Sequence, residues 1–128
     1  MADLGRYPCP CCGYLAFSEP PGSYEICTIC FWEDDLVQLC FPRMSGGANR
    51  VSLIEGQRNF AADGASENGL RRFVHPPRPD DRRDPLWRSV DEAVDNLWDP
   101  PPDCSWNTYP EDGTTLYYWR PTYWRRVL

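Results

Sequence analysis

The 128-residue chain reads as a small α+β protein. The expected parts are a cysteine-pinned N-terminal hairpin, two short helices packed on it, and a C-terminal β-hairpin or small antiparallel sheet. Three observations predict this. Residues 9–30, CPCCGYLAFSEPPGSYEICTIC, hold five of the seven cysteines, four of them as two C-x-x-C pairs. Two later stretches, 52–64 and 84–99, carry apolar residues at helical spacing behind helix-start signals. The aromatic-rich end, 103–128, is split by Pro110-Glu111-Asp112-Gly113, a turn between two extended runs.

The pairs are Cys9 with Cys12 and Cys27 with Cys30, with fourteen residues between them. Such spacing suits a structural zinc site. Zinc takes four soft donors in a tetrahedron, and each C-x-x-C turn offers two thiolates on one side of it. The strand Tyr14 to Phe17, a turn over residues 18–23, and a return strand Tyr24 to Ile26 would place the two knuckles on one hairpin, the zinc-ribbon arrangement. The expected cofactor is one structural Zn2+. A disulfide framework needs an oxidising compartment. MADLGRYP shows no secretory signal, which gives an expectation of a cytoplasmic protein. A thioredoxin-like motif needs a helix after its C-x-x-C, and none follows Cys12.

Cys11 lies between two presumed ligands and reads as a bystander, a substitute for Cys12, or a redox thiol near the cation. Cys40 and Cys104 read as small buried hydrophobes. His75, before Pro76-Pro77, reads as a loop residue. With one histidine and no second base at motif spacing, no nucleophile triad can be argued. Four cysteines closing a metal shell leave no open position for catalysis, so the expectation is a non-enzymatic protein.

Phe31 and Trp32 follow the second pair and are expected to cover the sulfurs. Glu33, Asp34 and Asp35 then read as a solvated loop, or a contact for a basic partner. Residues 42–50, PRMSGGANR, form a loop. Ser52 and Glu55 make a capping box opening a helix, with Gly64 as its C-terminal cap. Gly56 inside that helix costs up to about 1 kcal/mol relative to Ala, which only close packing would explain.

Residues 76–84, PPRPDDRRD, read as a charged linker between a module over 6–80 and an extension over 81–128 packed on the same core. Asp84 and Pro85 look like the cap and first position of a helix whose stripe is Leu86, Val90, Ala93 and Leu97, widened by Trp87, Val94 and Trp98. Cys104 to Tyr109 and Thr114 to Trp119 read as strands, with Thr122 to Leu128 as a third strand or ordered tail. Tyr118, Arg120, Tyr123, Trp124 and Arg125 read as an aromatic–arginine face suited to binding.

The net charge is −6, and four thiolates on a divalent ion make the folded form more acidic still. Residues 1–46 carry two Arg against six acids. Nucleic-acid ribbons usually show a basic patch, so that reading is the alternative. The leading expectation is a zinc-stabilised protein-binding module, with Trp32 to Asp35 and the C-terminal aromatics as its surface. An acidic immunity or antitoxin-type inhibitor of a basic partner is one form of it. A thiol redox protein is the weakest reading.

The strings YPCPCCGYLAFSEPPGSYEICTICFWEDD and GGANRVSLIEGQRNFAADGASE together resemble the cysteine-rich CPCC family over roughly residues 6–80. That resemblance implies a small, mostly bacterial zinc-ribbon domain with no agreed substrate, its ligands mapping onto Cys9, Cys12, Cys27 and Cys30. Residues 85–128 lie outside the pattern.

Overall fold

The computed structural model describes residues 6–95, 97 and 110–124. Strand β1 (Tyr7–Pro8) pairs antiparallel with β2 (Leu15–Phe17), Tyr7 opposite Phe17 and Pro8 opposite Leu15. This corrects the expected pairing. Tyr24 to Ile26 does not return along β2. It folds onto the residues after its own knuckle: Tyr24 N–H donates to the Asp34 carbonyl at 3.1 Å, and Cys27 N–H to that of Trp32 at 2.9 Å. Ile26 bridges Glu33. Each knuckle reverses the chain within five residues, so it pairs its own flanks. The intervening Pro20 and Pro21 offer no amide hydrogen for a longer ladder.

The free edge of β2 is covered by the presumed linker. Leu15 N–H donates to the Arg82 carbonyl at 2.7 Å, Tyr14 bridges Arg83, and Asp84 N–H donates to the Gly13 carbonyl at 2.8 Å. The Arg83 guanidinium lies 4.8 Å from the ring centres of both Tyr14 and Trp87, and its Nε donates to the Cys12 carbonyl.

Helix α1 (Leu36–Cys40) is one turn, started by Asp35, whose carboxylate accepts from Val37 and Gln38 N–H. Its Gln38 is fully buried. The amide nitrogen of Gln38 donates to the Met44, Asn49 and Val51 carbonyls, which fixes the 42–50 loop. Helix α2 (Leu53–Asp63) follows with the expected ends: a reciprocal Ser52/Glu55 capping box, and Gly64 in the left-handed region at φ 83°.

The helix expected over 84–99 is absent among the described residues. Asp84 does accept from Leu86 N–H, but the segment then runs as turns and irregular chain. Trp87 turns inward and donates its indole N–H to the Pro10 carbonyl at 2.9 Å. Val90 N–H donates to the Gln57 side chain at 2.9 Å. Leu86 and Val94 are 57% and 71% exposed, so the supposed stripe does not share one buried face. Tertiary partners outweigh a weak local preference here.

The expected strand Thr114 to Trp119 is also corrected. Gly113–Leu116 form a 3-10 turn capped by Asp112, and tight turns follow. Strands built of single-face alternation would leave half these rings in water; the turns instead bury Tyr117, Tyr118, Trp119 and Tyr123 together. These rings pack in the same cluster as Cys9, Cys12, Trp32 and Leu53. The expected Cys104 to Tyr109 strand, Trp98, and the tail beyond Trp124 lie outside the described residues.

Candidate metal centre

The two knuckles share one backbone plan. In the first, Gly13 N–H donates to the Cys9 carbonyl at 2.7 Å and Cys9 N–H to that of Tyr14 at 2.8 Å. In the second, Phe31 N–H donates to the Cys27 carbonyl at 2.8 Å and Cys27 N–H to that of Trp32 at 2.9 Å. Both plans need a left-handed residue after the second cysteine, Gly13 at φ 82° and Phe31 at φ 74°. At Gly13 a side chain is excluded, since a Cβ would lie 2.5 Å from the Trp87 ring. Phe31 is half-buried, and its ring meets that of Phe73 in a tilted contact at 5.7 Å between centroids. A non-glycine residue there is strained by roughly 1–3 kcal/mol. The sequence signal was the offset of Gly13 from Cys12, repeated by Phe31 after Cys30, but phenylalanine disguised it.

The knuckles bring Cys9, Cys12, Cys27 and Cys30 together as the sequence predicts. Their sulfurs all lie within 4.8 Å of one another. Cys9 to Cys30 is 3.5 Å and Cys12 to Cys27 is 3.7 Å. A disulfide would need about 2.05 Å. A tetrahedron with metal–sulfur bonds of about 2.3 Å has edges of about 3.8 Å. The four thiols can therefore hold a metal ion. Backbone N–H groups of Ile29 and Trp32 already point at the Cys27 and Cys30 sulfurs, at 3.4 and 3.5 Å, where they would stabilise thiolates.

Electrostatics agrees with that donor set. Burial pushes the Cys9, Cys12 and Cys30 thiols up. Hydrogen bonds from Cys12, Cys30 and Cys9 hold Cys27 well below the usual thiol range. Three of the four buried thiols therefore hold their protons more tightly than a free cysteine does, and a divalent cation at the cluster would supply the charge that favours their release.

The surroundings are built to hold this cluster. Trp32 is fully buried against α2. A Cβ on Gly56 would lie 3.2 Å from both the Cys11 sulfur and the Trp32 ring, which supplies the close packing that its place in a helix required. Gln57 donates to the Pro10 carbonyl at 3.0 Å and to the Tyr118 hydroxyl at 2.8 Å. Asp84, expected as a helix cap, is a second lock. Its Oδ2 accepts from the Trp119 indole at 3.0 Å and from Arg120 at 2.9 Å.

The residues expected to form a partner surface fare differently. Trp32, Asp34, Asp35, Tyr118 and Tyr123 are buried. Asp34 accepts from Ser23, and Asp35 from the Ala48 amide as well as capping α1, so these acids serve loops rather than solvent. Arg120 is half-buried and paired to Asp84. Glu33 and Trp124 are half-buried, and Arg125 lies outside the described residues. His75 is a loop residue whose amide donates to the Thr28 carbonyl. Cys11 and Cys40 are buried, and Cys104 lies outside the described residues.

No helix among the described residues is long and apolar enough to cross a membrane. A search of the curated proteins finds no match to the chain. The profile of one family, described as cysteine-rich CPCC, matches residues 7–81, more than half of the sequence and all four clustered cysteines. With its two knuckles closed on one buried sulfur cluster, the chain belongs to the cysteine-rich CPCC family.

Proposed function

We propose that the four cysteines hold a single zinc ion as a structural element, and that the chain works as a non-enzymatic protein-binding module. The observation that carries this is the closed, buried sulfur shell, with edges matching a tetrahedral four-cysteine site. Such a shell leaves no coordination position for a substrate or water, as a catalytic zinc requires. The remaining buried polar groups described above serve caps, loops and core contacts. Tetrahedral sulfur sites take zinc or iron, so elemental analysis of purified protein is the first test. One zinc per chain is expected, with loss of fold on chelation. Folded protein with far less than one metal per chain, or equimolar iron, would overturn the zinc reading.

The binding role draws on the charge of −6 and on the second hairpin, where Tyr24 and Ile26 are 56% and 47% exposed beside Glu25 and Glu33. Apolar contact with acidic flanks suits a basic protein, such as a nuclease-type toxin that the chain would inhibit. Affinity capture from host lysate tests this, comparing the native chain with a Glu25→Lys/Glu33→Lys variant. A captured basic protein lost with the variant supports it. No partner at any salt counts against it.

One observation favours nucleic acid as the second reading. Arg72 lies 4.9 Å over the exposed Phe73 ring, beside Arg71, a step on which bases can stack. Retention of single-stranded oligonucleotide at low salt, lost in Arg71→Ala/Arg72→Ala, would support that reading.

A further inference from the structure

The two knuckles of the sulfur cluster are held in different ways. Around the second, the Cys27 and Cys30 sulfurs accept from Ile29 and Trp32 N–H, and the Thr28 and Cys30 carbonyls accept from His75 and Ser66. The first is held between α2 and residues 82–87. Its Pro10 carbonyl accepts from Gln57 at 3.0 Å and from the Trp87 indole at 2.9 Å. Arg83 Nε donates to the Cys12 carbonyl at 2.9 Å, and Asp84 N–H to that of Gly13 at 2.8 Å. The Trp87 ring fills the space a Gly13 side chain would need, and the Arg83 guanidinium lies against that ring and Tyr14. Yet this clasp is thin. Arg82, Arg83, Pro85 and Leu86 are exposed, Trp87 is half-buried, and only Asp84 is buried. The stretch follows the exposed, proline-rich run 76–80 and carries one isolated bridge, Arg83 with Tyr14. Segments with few buried apolar groups open at the lowest free energy.

We propose that residues 82–87 control metal exchange: in the finished protein, metal leaves the four-cysteine centre when this clasp lifts from the Cys9–Cys12 knuckle and the rest of the molecule stays folded. The proposal rests on the metal-centre reading above. All four sulfurs are buried, so no outside donor reaches them without an opening. Lifting the clasp takes the indole off Gly13 and the guanidinium off the Cys12 carbonyl. It leaves the second knuckle with its own N–H donors and its bonds to Ser66 and His75. Cys9 and Cys12 are therefore the first ligands that an incoming chelator displaces. As the chelator occupies each position, the freed thiolate takes a proton from solvent.

The test uses full-length, zinc-loaded protein. Transfer of zinc to a chromogenic chelator is timed, and hydrogen exchange is followed at the Leu15 and Asp84 amides, which bond across the clasp to Arg82 and Gly13. In the wild-type chain these amides should exchange before those of α2, and zinc transfer should follow them across a denaturant series. Trp87→Ala should still bind one zinc and transfer it several-fold faster than wild type. Ser52→Ala controls for lost stability, since its side chain serves the α2 cap and not the clasp; its transfer rate should stay close to wild type. Equal rates for Trp87→Ala and wild type, or an equal acceleration in Ser52→Ala, would overturn the proposal. Should Trp87→Ala not fold, the wild-type chain decides alone. Transfer that follows the clasp amides supports the proposal, and transfer that follows the α2 amides overturns it. Protein that never holds zinc sinks the metal-centre reading and this proposal with it. Zinc-loaded protein whose transfer is indifferent to the clasp sinks only this one.

Discussion

Gly56 shows how one missing methyl group ties a helix to the sulfur cluster. Replacing it with alanine improves helix propensity by about 1 kcal/mol. The new Cβ would press on the Cys11 sulfur and the Trp32 ring, both fully buried. Overpacking of this kind costs about 1–3 kcal/mol. Gly56→Ala should therefore lower stability by about 1 kcal/mol in denaturant titrations of metal-loaded protein, and an increase would contradict the packing argument. Asp84 gives a pH signature. Burial pushes its carboxyl up, but the Trp119 indole, the Leu86 amide and Arg120 outweigh burial and hold it below its ordinary value. A depressed native value adds stability that is present above the unfolded-state value of about 3.9 and lost as pH falls through the native one. Asp84→Asn should thus be less stable than wild type at about pH 7, with the gap narrowing as pH drops below about 4. A gap of constant size between neutral pH and about pH 3 would refute the assignment.

At the scale of elements, α2 is held by its ends. Ser52→Ala removes one half of the capping box and should cost about 1 kcal/mol, read as a shift in denaturation midpoint. This helix and the cysteine pairs were legible in the sequence because their signals are local: a cap, a box and a spacing. The knuckle pairing was not, since Tyr24 to Ile26 could join either neighbour and only the short reversal at Cys27 to Cys30 decides. Helix α1 was hidden because five residues are too few to show a period, and its cap, Asp35, stood in a run of acids that read as solvent-facing. The 84–99 pattern failed the other way. Leu86, Val90 and Ala93 have helical spacing, yet Trp87 and Val90 direct N–H groups to Pro10 and Gln57. Those partners lie 77 and 33 residues away in the chain, beyond any local window.

Across the whole molecule, the sulfur cluster and the aromatic core are one body, because Tyr117, Tyr118 and Trp119 pack in the cluster that contains the cysteines. Removing the metal should therefore erase the near-ultraviolet circular dichroism of these rings, not merely loosen the N-terminal hairpins. Structural zinc contributes about 10–16 kcal/mol in small zinc-finger peptides at neutral pH, enough to decide folding on that scale. A chelated protein with unchanged aromatic signal would show that the core stands alone. The cover over the first knuckle has a further consequence in time. Trp87, which roofs Gly13, comes 57 positions after Cys30. Ribosomes add about 5–20 residues per second, so roughly 3 to 11 s separate the two. The nascent polypeptide therefore offers an open cup to the cell's ion pool before its lid has been translated. If the proposed centre is loaded at this stage, chains stalled soon after the second knuckle has left the exit tunnel should already carry metal, and stalled chains without it would show that loading waits for the lid.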